Sequence, residues 1–495
     1  MLGPTLIFDK SVLQSLNTDE AVMLDNFYTS VLTPVFFVEC LADLEKEMRS
    51  KSTPEQLVVS LAEKTPDGCR ANVHHLDILR SELQGHFKLP TVLGRPCVGE
   101  GHYIQLGDQK GAIFEQSQEQ NALYRWMKHE FLQAERDIAR WWRRSLTSID
   151  LDAMSSSVRK ELGPHLRKPK TLEDARAMTD VLIDNTDPEW LTRFGLEILG
   201  VPEASDYVIN KWISNRRPPL RDYLPYFIFA LSINIFFCLI LPTQLLRNVK
   251  PSHHVDLAYL YYLPFCSIFT SKDNFHVQIV PLFLNGTQTF VNGNDFKEEL
   301  KRLVDLFSAL PASEFDRGLH HFAQYPPLDT SFLTTRLWDT YLPRWRSTGP
   351  PKILDEKMQK AMKDMLKIFD ESENAPGAPP SLDQLNYSSA LKVIVLPCGV
   401  APQNQPQAQC TFSLPASLSI LAAGVKAEWH SASAPALTPS APQDSVQQDR
   451  QGVFHDRYNR FRHDRRCHRL GRSSHQPSFR SNRPAHRRRP RLRSL

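Results

Sequence analysis

Four carboxylates recur in one local context. Asp9 ends the apolar run Thr5-Leu6-Ile7-Phe8, Glu39 ends Pro34-Val-Phe-Phe-Val38, Asp256 opens Leu257-Ala-Tyr-Leu-Tyr-Tyr-Leu263, and Asp273 lies three residues beyond Ser267-Ile-Phe-Thr270. Carboxylates about 5 Å apart repel by roughly 3 kcal/mol per pair at an effective dielectric near 20, so four brought together must hold protons or take up a cation. Their hard oxygen donors select Mg²⁺ or Mn²⁺. Such ions activate water and stabilise the charge developing on a scissile phosphodiester, with no covalent nucleophile needed. Each acid also has a purely structural reading. Asp9, Asp256 and Asp273 can cap the helices that follow them, and Glu39 can be an exposed first-turn residue favoured by the helix dipole. The joint order of all four, not any one of them, carries the functional reading. Asp19, Asp25, Asp43 and Glu45 read as surface acids, although Asp43, one turn after Glu39, could face the site.

The elements that must position these acids follow from pattern. Residues 5–8 predict a short buried strand with Asp9 just past its carboxyl end, and Val12, Leu13, Leu16 and Val22 predict a helix after it. Pro34–Val38 reads as a second buried strand, with Glu39 opening the helical run Leu41–Met48. This β-α-β-α alternation predicts an α/β fold with a parallel sheet flanked by helices, in which ligands bind beyond the carboxyl ends of the strands. A third strand is expected at Ser267–Thr270, with further strands at His276–Leu284 and Thr289–Val291. Amphipathic helices are expected at Asp295–Leu310 and, through Leu354, Met358, Met362, Met365 and Phe369, at residues 354–369. Between these parts, residues 92–114 carry five glycines among polar breaks and predict hairpin or loop. Residues 116–146 predict one long helix, and residues 171–200 are helical in pattern.

Asp9 after a strand, Glu39 at a helix start, Asp256 at a helix N-terminus and Asp273 seventeen residues later, just after Ser271, together resemble the short acidic motifs of the PIN-like nuclease family. The resemblance covers residues 1–50 and about 225–285. It implies a PIN-like parallel sheet interrupted by a mostly helical insertion, with Asp9, Glu39, Asp256 and Asp273 as ligands of Mg²⁺ or Mn²⁺. By the same resemblance Ser271 orients water or a ligand, and the reaction is hydrolysis of RNA phosphodiester bonds, with single-stranded RNA as substrate and possible restraint by a regulatory protein. The long segment between Glu39 and Asp256 departs from compact members. The expected organisation is a PIN-like N-terminal part at 1–50, an insertion at 51–220, a PIN-like C-terminal part at 221–310, a helical extension at 311–373 and a disordered tail at 374–495. An inactive PIN-like scaffold is the alternative.

Composition bounds these readings. A chain of 495 residues with 41% hydrophobic content supports a large core. The formal charge of +4 is uneven, because residues 451–495 hold 14 Arg against Asp456 and Asp464, a local +12 that leaves residues 1–450 at −8. The Pro-, Ala-, Ser- and Gln-rich residues 374–450 and the Arg-rich end cannot bury enough apolar surface to fold, and the end reads either as an arm that folds on RNA or as an out-of-frame extension. Eight scattered cysteines make no framework, and residues 1–9 lack a basic, then long apolar, signal pattern, which points to a reducing cytoplasm. The uncharged run Tyr223–Leu246 is long enough for a membrane span. One span there would place Asp9 and Glu39 across the bilayer from Asp256 and Asp273, so a shared site requires a buried helix, with a membrane anchor as the rival reading. No phosphate-binding glycine loop and no zinc spacing occur. The pairs His74-His75, His253-His254 and His320-His321 point apart on a helix and make poor joint ligands. Cys266 reads as packing, and Trp126, Trp141 and Trp142 beside Arg140, Arg143 and Arg144 read as a helix with one core face rather than a base-stacking surface.

Overall fold

The structure, a computed structural model, describes residues 3–46, 53–66, 70–89, 94–98, 101–106, 109–114, 118–162, 167–246, 250–348 and 394–395. The helix expected at 354–369, the boundary near Glu373 and, apart from 394–395, the tail lie outside them. The described residues all fall in one compact unit. Five strands, β1 (Thr5–Phe8), β2 (Thr29–Leu32), β3 (Arg70–Ala71), β4 (Ile268–Ser271) and β5 (Thr289–Asn292), lie in the order β3-β2-β1-β4-β5. Every pairing is parallel, so the fold is α/β, with four full strands and the two-residue β3 at one edge. The chain winds outward from β1 in one direction and from β4 in the other. A crevice therefore opens beyond the carboxyl ends of β1 and β4, the place where ligands bind in open parallel sheets. The register Phe8↔Thr270 sets the next residues, Asp9 and Ser271, side by side across that crevice.

Strands β1 and β4 are buried on both faces: Leu6, Ile7, Ile268 and Phe269 have no solvent exposure. The helices Thr18–Phe27 and Gly293–Ser308 pack on each other and on β2 and β5. Asn17 begins the first of these with a complete capping box to Glu20, which divides the expected helix after Asp9 into Lys10–Ser15 and Thr18–Phe27. Trp338, in the helix Leu333–Tyr341, is fully buried and donates its indole N–H to the Phe27 carbonyl at 3.0 Å.

Three sequence expectations are corrected. The run Pro34–Val38 is not a strand but the start of a helix, Pro34–Ala42, and the second strand is Thr29–Leu32. Thr33 accepts from the Phe36 N–H at 3.2 Å and Pro34 occupies the first helical position, an N-terminal signal that outweighs the β-propensity of Val35, Phe36 and Phe37. The run lost its helical periodicity because the helix is covered on several sides: Phe36 meets Phe8 edge-to-face at 5.7 Å, and the helix Gln133–Thr147 lies against it. His276–Leu284 is likewise not a strand but a helix, Asn274–Ile279, begun by Asp273 as N-cap, followed by the 3-10 turn Val280–Leu282. Residues 116–146 form two helices, Gln118–Met127 and Gln133–Thr147, broken where His129 takes a φ of 61°. The glycine-rich stretch is an antiparallel hairpin, Gly101–Leu106 with Gln109–Phe114.

The uncharged run holds a 16-residue helix, Pro225–Ile240. At 1.5 Å per residue it spans about 24 Å, short of a hydrocarbon core of roughly 30 Å. No described helix is long and apolar enough to cross a membrane. Insertion helices cover this helix instead: Leu151–Leu162, Leu172–Asn185 and Pro188–Ile198 all pack on it. Gly195 permits the closest approach, since a Cβ there would sit 2.6 Å from the Phe227 ring. Two of its polar residues find partners inside the protein: Asn234 donates to the Ala230 carbonyl at 2.9 Å and the Tyr261 hydroxyl at 2.8 Å, and Ser232 donates to the Phe229 carbonyl at 2.7 Å. These three insertion helices thus share a core with Pro225–Ile240.

The helix Pro225–Ile240 has no capping side chain of its own. Glu82, 4% exposed on the helix His75–Leu83, accepts from the backbone N–H groups of Tyr226 at 2.8 Å and Phe227 at 2.7 Å. Burial pushes the Glu82 carboxyl up to about 8, against the pull of those two donors. In Glu82→Ala both buried N–H groups lose their acceptor, and the urea-unfolding free energy should fall by roughly 2–4 kcal/mol, with a smaller loss in Glu82→Gln. An unchanged midpoint in Glu82→Ala would show that the helix start is not held by this residue.

Candidate functional site

Asp9 sits at the carboxyl end of β1 as the N-cap of Lys10–Ser15 and is 4% exposed. One of its oxygens, Oδ1, accepts from the Ser11 hydroxyl at 2.7 Å and the Val12 N–H at 3.1 Å. The other, Oδ2, accepts from Ser271 Oγ at 2.5 Å and lies 3.3 Å from His276 Nδ1. His276 is fully buried, with Nδ1 2.9 Å from Ser271 Oγ and Nε2 2.8 Å from the Asp256 carbonyl oxygen. A carbonyl only accepts, so Nε2 carries a proton. Ser271 spends its hydrogen on Asp9 and can receive only from Nδ1–H, so Nδ1 carries one as well. His276 is therefore an imidazolium and Asp9 its carboxylate. Burial alone would depress the His276 pKa, but the hydrogen bond and charge of Asp9 and the charge and carbonyl of Asp256 lift it to about 9. Burial likewise works to raise Asp9, and the hydrogen bond and charge of His276 with the Ser271 and Ser11 hydroxyls outweigh it, holding the carboxyl below its ordinary range.

Glu39 lies in the second turn of Pro34–Ala42 rather than at a helix start. Its Oε2 accepts from the Tyr259 hydroxyl at 2.5 Å. Burial pushes its carboxyl up, against the charge of Lys10 and the Tyr259 bond, while Asp9 adds to the rise. The Lys10 ammonium reaches back to the Glu39 carbonyl at 3.1 Å and to Asp43 at 3.2 Å. Asp43 is not a surface acid: it is 2% exposed and also pairs with Lys46 and Arg143 at 3.5 and 3.9 Å. The Arg140 and Arg143 groups are spent on Asp137, Glu45 and Asp43, and Trp126 and Trp142 are buried, so this helix face is packing. Cys266 is buried and its thiol pushed up by that burial, which removes it as a nucleophile.

Asp256 stands one turn into His253–Leu260, and its carboxyl is pushed up to about 8. Burial is the largest cause; the charges of Glu39, Asp273 and Asp9 add to it, and His276 opposes it. The charges of Glu39, Asp273 and Asp9 thus all reach the Asp256 carboxyl. Asp273 caps its helix by accepting from the Phe275 N–H at 2.7 Å, and its own N–H donates to Ser271 Oγ at 3.0 Å. Ser271 therefore orients Asp9, His276 and Asp273 rather than offering a free hydroxyl. Gly293 lets the next helix cross this turn, because a Cβ there would lie 2.9 Å from the Lys272 nitrogen and the Ser271 carbonyl carbon.

The donor set is hard oxygen, which suits Mg²⁺ or Mn²⁺ rather than zinc. Among the described residues no group of three or more His, Cys, Asp or Glu side chains is arranged to hold a metal ion. Asp9 has both oxygens engaged and Glu39 has one, whereas among the described residues neither the Asp256 carboxyl nor Asp273 Oδ2 accepts a hydrogen bond. A Mg²⁺ ion that retains its waters needs only one or two protein carboxylates. Three residues around the acids escape a search for acids alone: His276, Tyr259 and Lys10. Each had a signal in spacing, since His276 lies one turn past the cap Asp273, Tyr259 one turn past Asp256, and Lys10 beside Asp9.

His276 and Asp256 have folded pKa values of about 9 and about 8, above their ordinary 6.5 and 3.8. The stability each contributes is complete below the ordinary value and lost as pH rises through the folded one. The urea midpoint should accordingly fall as pH rises above about 4 through the Asp256 interval, most steeply between pH 6.5 and about 8 where both groups contribute, and less steeply in Asp256→Asn; a flat profile for the unaltered chain would contradict these charge states. No family model matches the chain, and neither a curated protein nor a solved structure does.

Proposed function

We propose that the chain is a PIN-like, divalent-metal-dependent hydrolase of RNA phosphodiester bonds, acting on single-stranded RNA. The observation that supports this reading is the hydrogen-bond network at the switch point of the parallel sheet, in which Ser271 joins Asp9 to the Asp273 turn and His276 joins Asp9 to the backbone of Asp256, with the charges of Asp9, Glu39 and Asp273 helping to raise the Asp256 carboxyl to about 8. A buried acid in that field keeps its proton until a cation offsets the neighbouring charges. Asp256 and Asp273 would hold Mg²⁺ or Mn²⁺, with Asp9 and Glu39 contributing charge from their anchored positions. When bound, such an ion supplies an activated water and offsets charge on the phosphate. The residues of the chain do the positioning: Ser271 links Asp9 to the Asp273 turn, His276 compensates Asp9, and Tyr259 holds Glu39.

The alternative, a PIN-like scaffold without activity, is favoured by one observation: the oxygens of Asp9 and one of Glu39 are already satisfied by protein donors. Calorimetry with Mn²⁺ separates the two. The hydrolase binds Mn²⁺ with release of the Asp256 proton, so affinity rises with pH up to about 8 and the heat changes with the ionisation enthalpy of the buffer. Asp256→Asn and Asp273→Asn each lower the Mn²⁺ affinity at least tenfold and abolish cleavage of a labelled single-stranded RNA. Robust cleavage by either variant rules out the assignment, and no Mn²⁺ binding by the unaltered chain selects the scaffold.

A further inference from the structure

Beside Asp273 stands a histidine that neither the acid motif nor the Asp9 network uses. His253 opens the helix that carries Asp256, and its ring lies flat on Phe275, with centroids 5.1 Å apart and planes 12° from parallel. Phe275 is in turn tied to Asp273 by its N–H. His253 Nδ1 accepts from the Lys250 backbone N–H at 3.0 Å, so that nitrogen cannot carry a proton and the ring's hydrogen resides on Nε2. Nε2–H has no partner among the described residues, and the residue is half-buried, open on one side. The ring feels the charges of Asp273, Lys250 and His276. Stacking and the Nδ1 bond hold one N–H donor in a single orientation over Phe275, whose N–H is tied to Asp273, and the exposed Lys250 begins the turn that leads into His253.

We propose that His253 Nε2–H and the Lys250 ammonium form a phosphate subsite beside Asp273, taking a non-bridging oxygen of an RNA phosphodiester. The inference rests on the hydrolase reading and deepens it by naming the group that receives the strand. A donor fixed on an aromatic face binds an anionic oxygen without the entropy cost of ordering a flexible side chain, and a lysine adds a point charge. Bound there, the phosphodiester lies next to Asp273 and places its charge where a cation on Asp256 and Asp273 would face it.

The test uses the full chain, in chelator, titrated with the dinucleotide UpU, which carries one phosphodiester. Imidazole ¹H–¹⁵N NMR reads each ring separately, and the His253 signals are those missing from His253→Phe. The expected result is a saturable shift of the His253 Nε2 signals that needs about 5-fold more UpU in Lys250→Ala. His253 signals that stay fixed while UpU is raised overturn the subsite. Cleavage with Mn²⁺ is measured in parallel. His253→Phe keeps the stack and loses the donor, and should cleave roughly 10-fold more slowly, whereas His253→Gln restores an N–H and most of the rate. Equal rates in His253→Phe and the unaltered chain overturn the assignment of His253 while leaving the hydrolase reading intact. A chain whose His253 signals shift with UpU but which never cleaves RNA leaves the subsite standing and overturns the hydrolase.

Discussion

The parallel pairing of β1 with β4 is the constraint on which the site depends. Its register sets Asp9 beside Ser271 at the end of two strands buried on both faces, where a charge has little access to water. A buried carboxylate survives only with compensation, and here Ser11, the Val12 N–H, Ser271 and the His276 imidazolium provide it. Because His276 also grips the Asp256 carbonyl, the same network ties the helix His253–Leu260 to the strand ends. Residues separated by more than 260 positions thereby form one unit.

Compensation is uneven across the four acids, and that asymmetry has chemical content. Asp9 and Glu39 are stabilised by fixed donors, so they act as permanent features of the field. Asp256 and Asp273 retain open oxygens, and Asp256 carries the burden of the others in its raised pKa.

The insertion contributes to this arrangement through packing rather than through ligands. By covering Pro225–Ile240 it keeps an almost wholly apolar helix inside the protein, and that helix leads directly to the segment bearing His253 and Asp256. Glu82 secures the start of the helix from the segment between β3 and the hairpin. The topological argument that the four acids belong on one side of any bilayer is therefore matched by a physical one: the helix is too short to span and already has protein neighbours on its faces.

The ends of β1 and β4 and the alternation of strand and helix were legible in the sequence itself, because runs such as Thr5–Phe8 and Ser267–Thr270 are too short and too apolar for anything but a buried strand of a parallel sheet. Thr33-Pro34 was equally legible as a helix start, but the apolar run after it hid that signal, since a helix covered on several sides loses its period. Only the tertiary structure decided which acids are compensated and which are open. That distinction depends on donors brought from distant parts of the chain: His276 to Asp9, Tyr259 to Glu39, Lys10 to Asp43. Hydrogen bonds and charge interactions act over a few ångströms of space irrespective of sequence separation, so neither the spacing of the acids nor their local propensities could state how their charges would be shared.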